Sequence, residues 1–379
     1  MSLPDQSMGD LPVEVMVDIL SRLPVKTIIH SKCVCKKWLD IISDSYFANL
    51  HLSRSPTNLV IHHNLGFDTN GYKKPGTLTW VDLEDELDHH DPRMTLDLNL
   101  SPIFQNSQIL PAGSVNGLIC LWQVCPKRHN IYICNPITRE YMILPRQRNC
   151  IIVYCFGVGL LTHEYKLIRI FQRGMPPYST SSSRMGLFEA EVYTLGTGQW
   201  RSLGCVPYWL SGSSGLFLNG HAHWILVDRD SPEKIYAFDF DKETFDLFPS
   251  PPSSEAMRGS LGVINGCLCQ CESFNSKLTI WVMKEYGVKK SWHKEVVIER
   301  SISPGLPLWC VEPVYVIEGF KDGVILMGSF RGVLFVYCPQ RKTIVDFVKF
   351  DRSFKFNAWV YRPSFHRLHN FENERVDVF

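Results

Sequence analysis

The chain has 379 residues, 45% of them hydrophobic and 20% charged, which is ample material for packed cores and excludes a wholly disordered polymer. Its 39 Lys and Arg face 38 Asp and Glu, a net charge of +1, so there is no field to hold a polyanion and a general nucleic-acid binder is not expected. No run of about 18 apolar residues occurs, so no membrane-spanning helix is expected.

Residues 1–9 are polar, lack an apolar signal-peptide core and are expected to be disordered. With no secretory leader, the 13 scattered cysteines read as reduced thiols, and the expected location is cytoplasm, nucleus or both. The sequon Asn99-Leu100-Ser101 is then expected to stay unglycosylated.

Residues 10–52 read as three helical runs. Asp10 can cap the first, Leu11 and Pro12 open it, and Met16, Ile19, Leu20 and Leu23 follow at helical spacing. Leu23-Pro24-Val25 interrupts the pattern, because a residue before proline avoids the α region. Ile28, Ile29, Lys32 and Cys33 mark the second run; Trp38, Leu39, Ile42 and Phe47 mark the third. A unit this small buries little core, so a partner covering part of its apolar face is expected.

Residues 53–58 read as a linker. From residue 59 to 362 the texture is that of short β-branched and aromatic runs broken by turn residues, among them Leu118–Trp122, Ile131–Cys134, Lys166–Phe171 and Ile235–Phe240. Residues 363–379 are left as a C-terminal tail. Asn116-Gly117, Asn219-Gly220, Asn265-Gly266 and Asp322-Gly323 each precede a hydrophobic run, as hairpin turns do. A second feature follows each: an aromatic strand, a polar turn and a further strand, with turns near Asn135, Asp239, Met283 and Cys338. A fifth such turn, near Thr194, has no Asn-Gly step. Successive turns lie roughly 45–60 residues apart, the length of a four-stranded blade. The expected architecture is a small all-α N-terminal unit followed by a large all-β domain, a propeller of degenerate blades; the alternative is an irregular β-sandwich. Leu59–His63 and Phe356–Val360 are the strands expected to close the ring.

The blocks Leu11-Pro12-Val13-Glu14-Val15, Ile19-Leu20-Ser21-Arg22-Leu23-Pro24-Val25-Lys26 and Cys33-Val34-Cys35-Lys36-Lys37-Trp38, in this order and spacing, resemble the F-box of plant F-box proteins. His30 and Ser31 depart from it, where related boxes often carry larger or basic residues. Downstream, Asn116-Gly117-Leu118, Asn135-Pro136-Ile137-Thr138, Tyr165-Lys166-Leu167 and Tyr193 through Trp200 resemble the F-box-associated domain, including its kelch-like forms, without the double glycine of true kelch blades. The resemblance implies a non-catalytic adaptor. The F-box would dock on the Skp adaptor, and through it on the cullin and RING subunits of an SCF-type ubiquitin ligase. The β domain would select the target protein for ubiquitination. The positions carried over as docking face and its support are Leu11, Pro12, Val15, Ile19, Leu20, Leu23, Pro24, Val25, Ile28, Val34 and Trp38.

No other motif rises to this level. Cys267-Leu268-Cys269-Gln270-Cys271 puts three thiols on one strand face, without the second pair that a zinc site needs. His221-Ala222-His223 offers two imidazoles and no third ligand. Gly157-Val158-Gly159 lacks the third glycine of a dinucleotide fingerprint. No metal, cofactor or catalytic residue is expected. The carboxylates of Asp82–Asp91 read as a solvated loop. For target binding, the candidates are Pro177 and Tyr178 in the Gly174–Arg184 loop, and Glu84 and Asp85 in the acidic loop. Rival readings are an F-box receptor whose β domain holds a glycan or small ligand on exposed tryptophans, and a propeller hydrolase or lyase.

Overall fold

Asn116, Asn219 and Asn265 adopt left-handed φ of 50°, 49° and 50°, and the glycines after them 80°, 72° and 74°. Two left-handed residues in succession make the hairpin turn whose twist matches its strands, and Asn followed by Gly is the pair that tolerates it. The turns near Asn135 and Asp239 have their own chemistry. Asn135 Oδ1 accepts from the Ile137 amide at 2.9 Å, and Asp239 Oδ1 from the Asp241 amide at 2.9 Å, so each side chain closes a turn on its own backbone. A left-handed residue follows four positions on, Arg139 and Glu243, as does Lys342 after Cys338.

The computed structural model describes residues 11–63, 77–81, 95–98, 108–124, 130–145, 150–172, 188–208, 210, 214–226, 233–252, 259–274, 277–299, 314–319, 324–329, 333–349 and 356–378. Asp10 and the rest of the N-terminal stretch, the sequon, Asp322-Gly323, and Glu84, Asp85, Pro177 and Tyr178 lie outside them.

Among the described residues there are six antiparallel sheets. Blade 1 runs Phe356–Tyr361, Asn58–His63, Thr77–Val81, Thr95–Leu98. Blade 2 runs Gln108–Val115, Leu118–Val124, Ile131–Asn135, Glu140–Ile143. Blade 3 runs Cys150–Val158, Tyr165–Gln172, Phe188–Thr194, Trp200–Val206. Blade 4 runs Leu216–Leu218, His221–Ile225, Ile235–Asp239, Thr244–Phe248. Blade 5 runs Gly259–Ile264, Cys267–Phe274, Lys277–Met283, Trp292–Glu299. Blade 6 runs Val314–Gly319, Ile325–Ser329, Val333–Cys338, Thr343–Lys349. The first strand of every blade touches the first strands of both neighbours, and blade 6 touches blade 1. The ring is closed, so the fold is a β-propeller and not a sandwich. Closure comes from the strands expected to provide it: Leu59 pairs with Val360, Val60 with Trp359 and Ile61 with Ala358.

Apolar side chains fill the seams between blades. Phe156, Leu167 and Tyr193 pack with Cys120 and Ile133, and Trp224 and Phe238 pack with Val153 and Ile170. Similar clusters join blade 4 to blade 5 and blade 5 to blade 6.

Four helices precede the ring: α1 (Val13–Leu20), α2 (Val25–Ser31), α3 (Lys36–Ser43) and α4 (Ser45–Arg54). The sequence reading has three. The third run breaks at Asp44, which is extended at ψ 144° and whose carboxylate accepts from the Tyr46 amide at 2.7 Å, an N-cap that starts a new helix. Helix α1 starts after Pro12 with no side-chain cap. Helix α4 continues to Arg54, so Ser53 and Arg54 of the expected linker are helical. Ser55–Thr57 are half-buried. The helices do not stand alone. Met16, Leu20, Ile28, Ile42 and Phe47 share one continuous cluster with Val60, Trp80, Ile119, Tyr132, Tyr361 and Phe365 of the β domain, so the propeller itself supplies part of the cover that a small unit needs.

In each blade the chain alternates ends. The first-to-second and third-to-fourth connections lie at one end; the second-to-third and blade-to-blade connections lie at the other. In blade 1 the helices enter at Asn58 and the chain leaves at Tyr361, where a first-to-second connection would be. The helices therefore sit at the end that carries the Asn-Gly turns. Residues 363–378 turn back across that end, and Val376–Val378 adds a fifth strand to blade 2, beside Glu140–Met142.

Candidate docking site

The apolar residues of the four helices divide sharply. Met16, Val17 and Leu20 of α1, Val25 and Ile28 of α2, Ile41 and Ile42 of α3 and Phe47 of α4 are buried. Others are left in water: Val13 and Val15 of α1, Val34 in the turn before α3, Leu39 of α3 and Tyr46 of α4 are exposed, Val34 at 62%. Of the positions singled out from the sequence, Leu20, Val25 and Ile28 lie in the core. Leu11, Ile19, Leu23 and Trp38 are half-buried, and Pro12, Val15, Pro24 and Val34 are exposed. Lys37 Nζ reaches the Leu11 carbonyl at 3.4 Å, which holds the start of α3 against the start of α1. Burying a fully exposed apolar side chain gains about 1.5–3 kcal/mol, so anything that covered these residues would recover part of that. Helical periodicity nominates apolar positions but cannot separate those facing the propeller from those facing water. Val13, Leu39 and Tyr46 are exposed as well and were not among the positions carried over as the docking face.

The polar side of the module is tied internally. Asp18 accepts from Arg22 Nε at 3.1 Å and pairs with Arg54 Nη2 at 2.7 Å. The hydrogen bonds of Arg22 and Arg54 hold its carboxyl below the usual range. Arg54 thereby links α4 to α1. His51 is buried, and burial lowers its pKa to about 4.

The remaining candidates are structural. Cys269 and Cys271 are buried in their strand and Cys267 is half-buried. Burial pushes the Cys271 thiol up to about 12, so it stays protonated and inert. His223 is buried and lowered to about 3, and its Nε2 lies 2.7 Å from the Tyr286 hydroxyl. His221 lies 3.5 Å from Asp239. Among the described residues no three His, Cys, Asp or Glu side chains are placed to hold a metal. The described tryptophans are all buried or half-buried; Trp200 and Trp292 donate to the Pro145 and Pro249 carbonyls, each at 3.0 Å.

The family described as F-box associated beta propeller domain matches residues 78–368, and an F-box-like family matches residues 8–52. This chain belongs to the F-box proteins with an F-box-associated β-propeller domain. An F-box protein of Arabidopsis thaliana is 31% identical over 374 residues, covering 87% of this chain and 85% of its own length. An F-box/kelch-repeat protein of the same plant is 25% identical, covering 85% and 89%. F-box protein CPR1, also from Arabidopsis, is 25% identical, covering 78% and 75%. Among solved structures, TolB from Acinetobacter baumannii aligns with 87% of this chain at 14% identity and TM-score 0.45, a likeness too loose to carry an argument. For this F-box protein, membership implies a role in substrate recognition and an adaptor partner of the Skp type. Its relatives are generally adaptors rather than catalysts.

Proposed function

We propose that this F-box protein is the target-recognition subunit of an SCF-type ubiquitin ligase. Its exposed Pro12, Val15 and Val34 dock on the Skp adaptor, with half-buried Leu11, Ile19, Leu23 and Trp38 completing the face. Through the adaptor the chain joins a cullin and a RING subunit, and it adds no catalysis of its own. Its contribution is proximity: a tethered target presents its lysines at high effective concentration. The observation that carries the reading is that Val13, Val15, Val34, Leu39 and Tyr46 are exposed on a helical module whose core is packed on itself and on the propeller.

The target is a protein bound at the end of the propeller opposite the helices. The helix end is occupied by α1–α4, by the returning C-terminal segment and by turns such as Asn116-Gly117 and Asn219-Gly220. The strand ends that flank 64–76, 99–107, 173–187 and 300–313 lie at the far end, and long connections on a rigid scaffold are where binding groups gather. Residues 173–187 contain Pro177 and Tyr178. The acidic stretch with Glu84 and Asp85 leaves from Val81 and returns at Thr95, both at the helix end, so the far-end segment is the better candidate.

The test separates docking from folding. Val15→Asp with Val34→Asp is expected to weaken capture of a purified Skp-type adaptor more than about tenfold, as interface hot spots do, without lowering Tm. Leu20→Ala is expected to lose about 2–5 kcal/mol of stability instead. Unchanged capture by the folded double variant would sink the docking face. Targets are identified by mass spectrometry of captured proteins under proteasome inhibition.

A further inference from the structure

The C-terminal segment does more than finish the chain. Its Phe365 is 2% exposed and stands edge-on to two rings of α4, 5.9 Å from Phe47 and 5.0 Å from His51. Lys32, the residue that ends α2, lies over the same ring at 5.0 Å. Beside it Ser55, the residue after α4, donates to the Pro363 carbonyl at 2.9 Å. One short stretch thus grips the second and fourth helices together.

The same stretch is bolted to the ring. Asn135 of blade 2, fully buried, donates from Nδ2 to the carbonyls of Ser364 at 3.0 Å and His366 at 2.7 Å. Glu140, also of blade 2 and 2% exposed, accepts from the Leu368 amide at 2.6 Å, from Arg367 Nε at 3.0 Å, and meets His369 Nδ1 at 3.1 Å. Farther on, Glu374 accepts from the Tyr193 hydroxyl at 2.6 Å and the Gly196 amide at 2.9 Å, both in blade 3. The segment leaves blade 1, crosses blades 2 and 3, and holds the helices from its first turn. Modules joined by a linker otherwise move relative to each other unless a large contact prevents it.

We propose that residues 363–378 are a splint and that Phe365 is a positioning residue: wedged between α2 and α4, it fixes the direction in which the docking site points relative to the far end of the propeller. The consequence for ubiquitin transfer rests on the ligase reading above; the geometric claim does not. A fixed orientation presents one set of lysines to the ligase, and a hinged module presents many.

Two measurements test it on the full chain. Paired spin labels are introduced as non-natural residues at Asp40, exposed on α3, and Lys290, exposed on blade 5. The unaltered protein and Phe365→Leu are expected to give one narrow distance. Phe365→Ala, and separately Lys32→Ala with Ser55→Ala, which cuts no cavity in the core, are expected to give a distribution roughly twofold wider. If the folded Phe365→Ala protein, or the double variant where Phe365→Ala does not fold, keeps the narrow distance, the splint is refuted. The second measurement maps the chain's own lysines that receive ubiquitin in a ligase reconstituted with adaptor, cullin and RING subunit. The splint predicts a restricted set that spreads when Phe365 is truncated and is restored in Phe365→Leu. An unchanged set despite widened distances overturns the positioning role. Absence of transfer from every variant, with distances behaving as expected, refutes the ligase reading and leaves the splint standing.

Discussion

His51 illustrates how one side chain reports on a whole junction. It is buried between Phe47 and Phe365, with Ser55 Oγ 3.1 Å from its Nδ1. Burial lowers its pKa from 6.5 to about 4, so the folded protein holds it neutral. Below pH 6.5 the unfolded chain takes up a proton that the folded chain refuses. Stability is therefore complete above pH 6.5 and falls as pH drops toward 4. The loss from this residue amounts to about 2 kcal/mol at pH 5. His223, lowered to about 3 by burial, adds to the loss in the same window, and His366 is lowered by burial as well. His51→Phe, which keeps an aromatic ring in the slot, is expected to flatten the stability profile between pH 7 and 5 in denaturant titrations. A slope equal to that of the unaltered protein would show that His51 is not the group responsible. The exposed apolar residues of the helices obey a similar local logic in reverse: Val34, at 62% exposure, is costly only until something covers it.

At the scale of elements, the turns carry the most information per residue, and one pair of glycines separates two effects. Gly117 and Gly266 both occupy the second position of an Asn-Gly turn, at φ 80° and 74°. A Cβ on Gly266 would meet nothing within 4 Å, whereas one on Gly117 would lie 2.5 Å from Ser364 Oγ and 2.7 Å from the Ser364 amide. Gly266→Ala is expected to cost about 1–2 kcal/mol for the left-handed backbone alone. Gly117→Ala is expected to cost clearly more, because the Ser364 backbone is pinned by Asn135. Equal losses in chemical denaturation would mean that the C-terminal segment yields freely. These turns also show what was legible beforehand. Asn-Gly and the Asn135-type turns follow from local φ preferences and local hydrogen bonds, so several hairpins and the closing strands could be read from residue types, whereas the number of blades could not. The fourth helix was hidden because Asp44 acts through a cap, within a run whose apolar spacing continues across it. The role of residues 363–378 was hidden more deeply. The segment has no periodicity, and its anchors are single side chains meeting backbone more than 220 residues away in sequence. Burial within the helical module was illegible for a related reason: Leu20 and Ile19 are neighbours in the same pattern, and the packing of the helices on one another and on the propeller decides which is covered.

For the whole molecule the governing fact is that the ring is sealed by chain ends. Blade 1 takes its innermost strand, Phe356–Tyr361, from the C-terminal part and its other three from the N-terminal part. The last strand of the ring and the first strand after the helices thus fold only when both ends of the β domain are present, a contact of very long sequence separation that is slow to form and late to reward. Once formed, it removes the two open edges that an unsealed ring would present to other chains. The helices add to the seal, since their core is continuous with Val60 of the second strand and with Tyr361 of the innermost strand. Removing residues 356–379 takes away the closing strand, Phe365 and the fifth strand of blade 2 together. It leaves Asn58–His63 with one free edge and exposes the blade 6 face that had packed on the missing strand. The truncated chain is expected to lose its single cooperative unfolding transition, to show a smaller denaturant m-value than its length predicts, and to self-associate in size-exclusion chromatography. Removing only residues 371–379, which spares the closing strand and Phe365, is expected to keep one transition and a monomeric profile at reduced stability. A monomeric, cooperatively unfolding 1–355 chain would mean that the blades hold together without the seal, and that closure is a consequence of the fold and not its support.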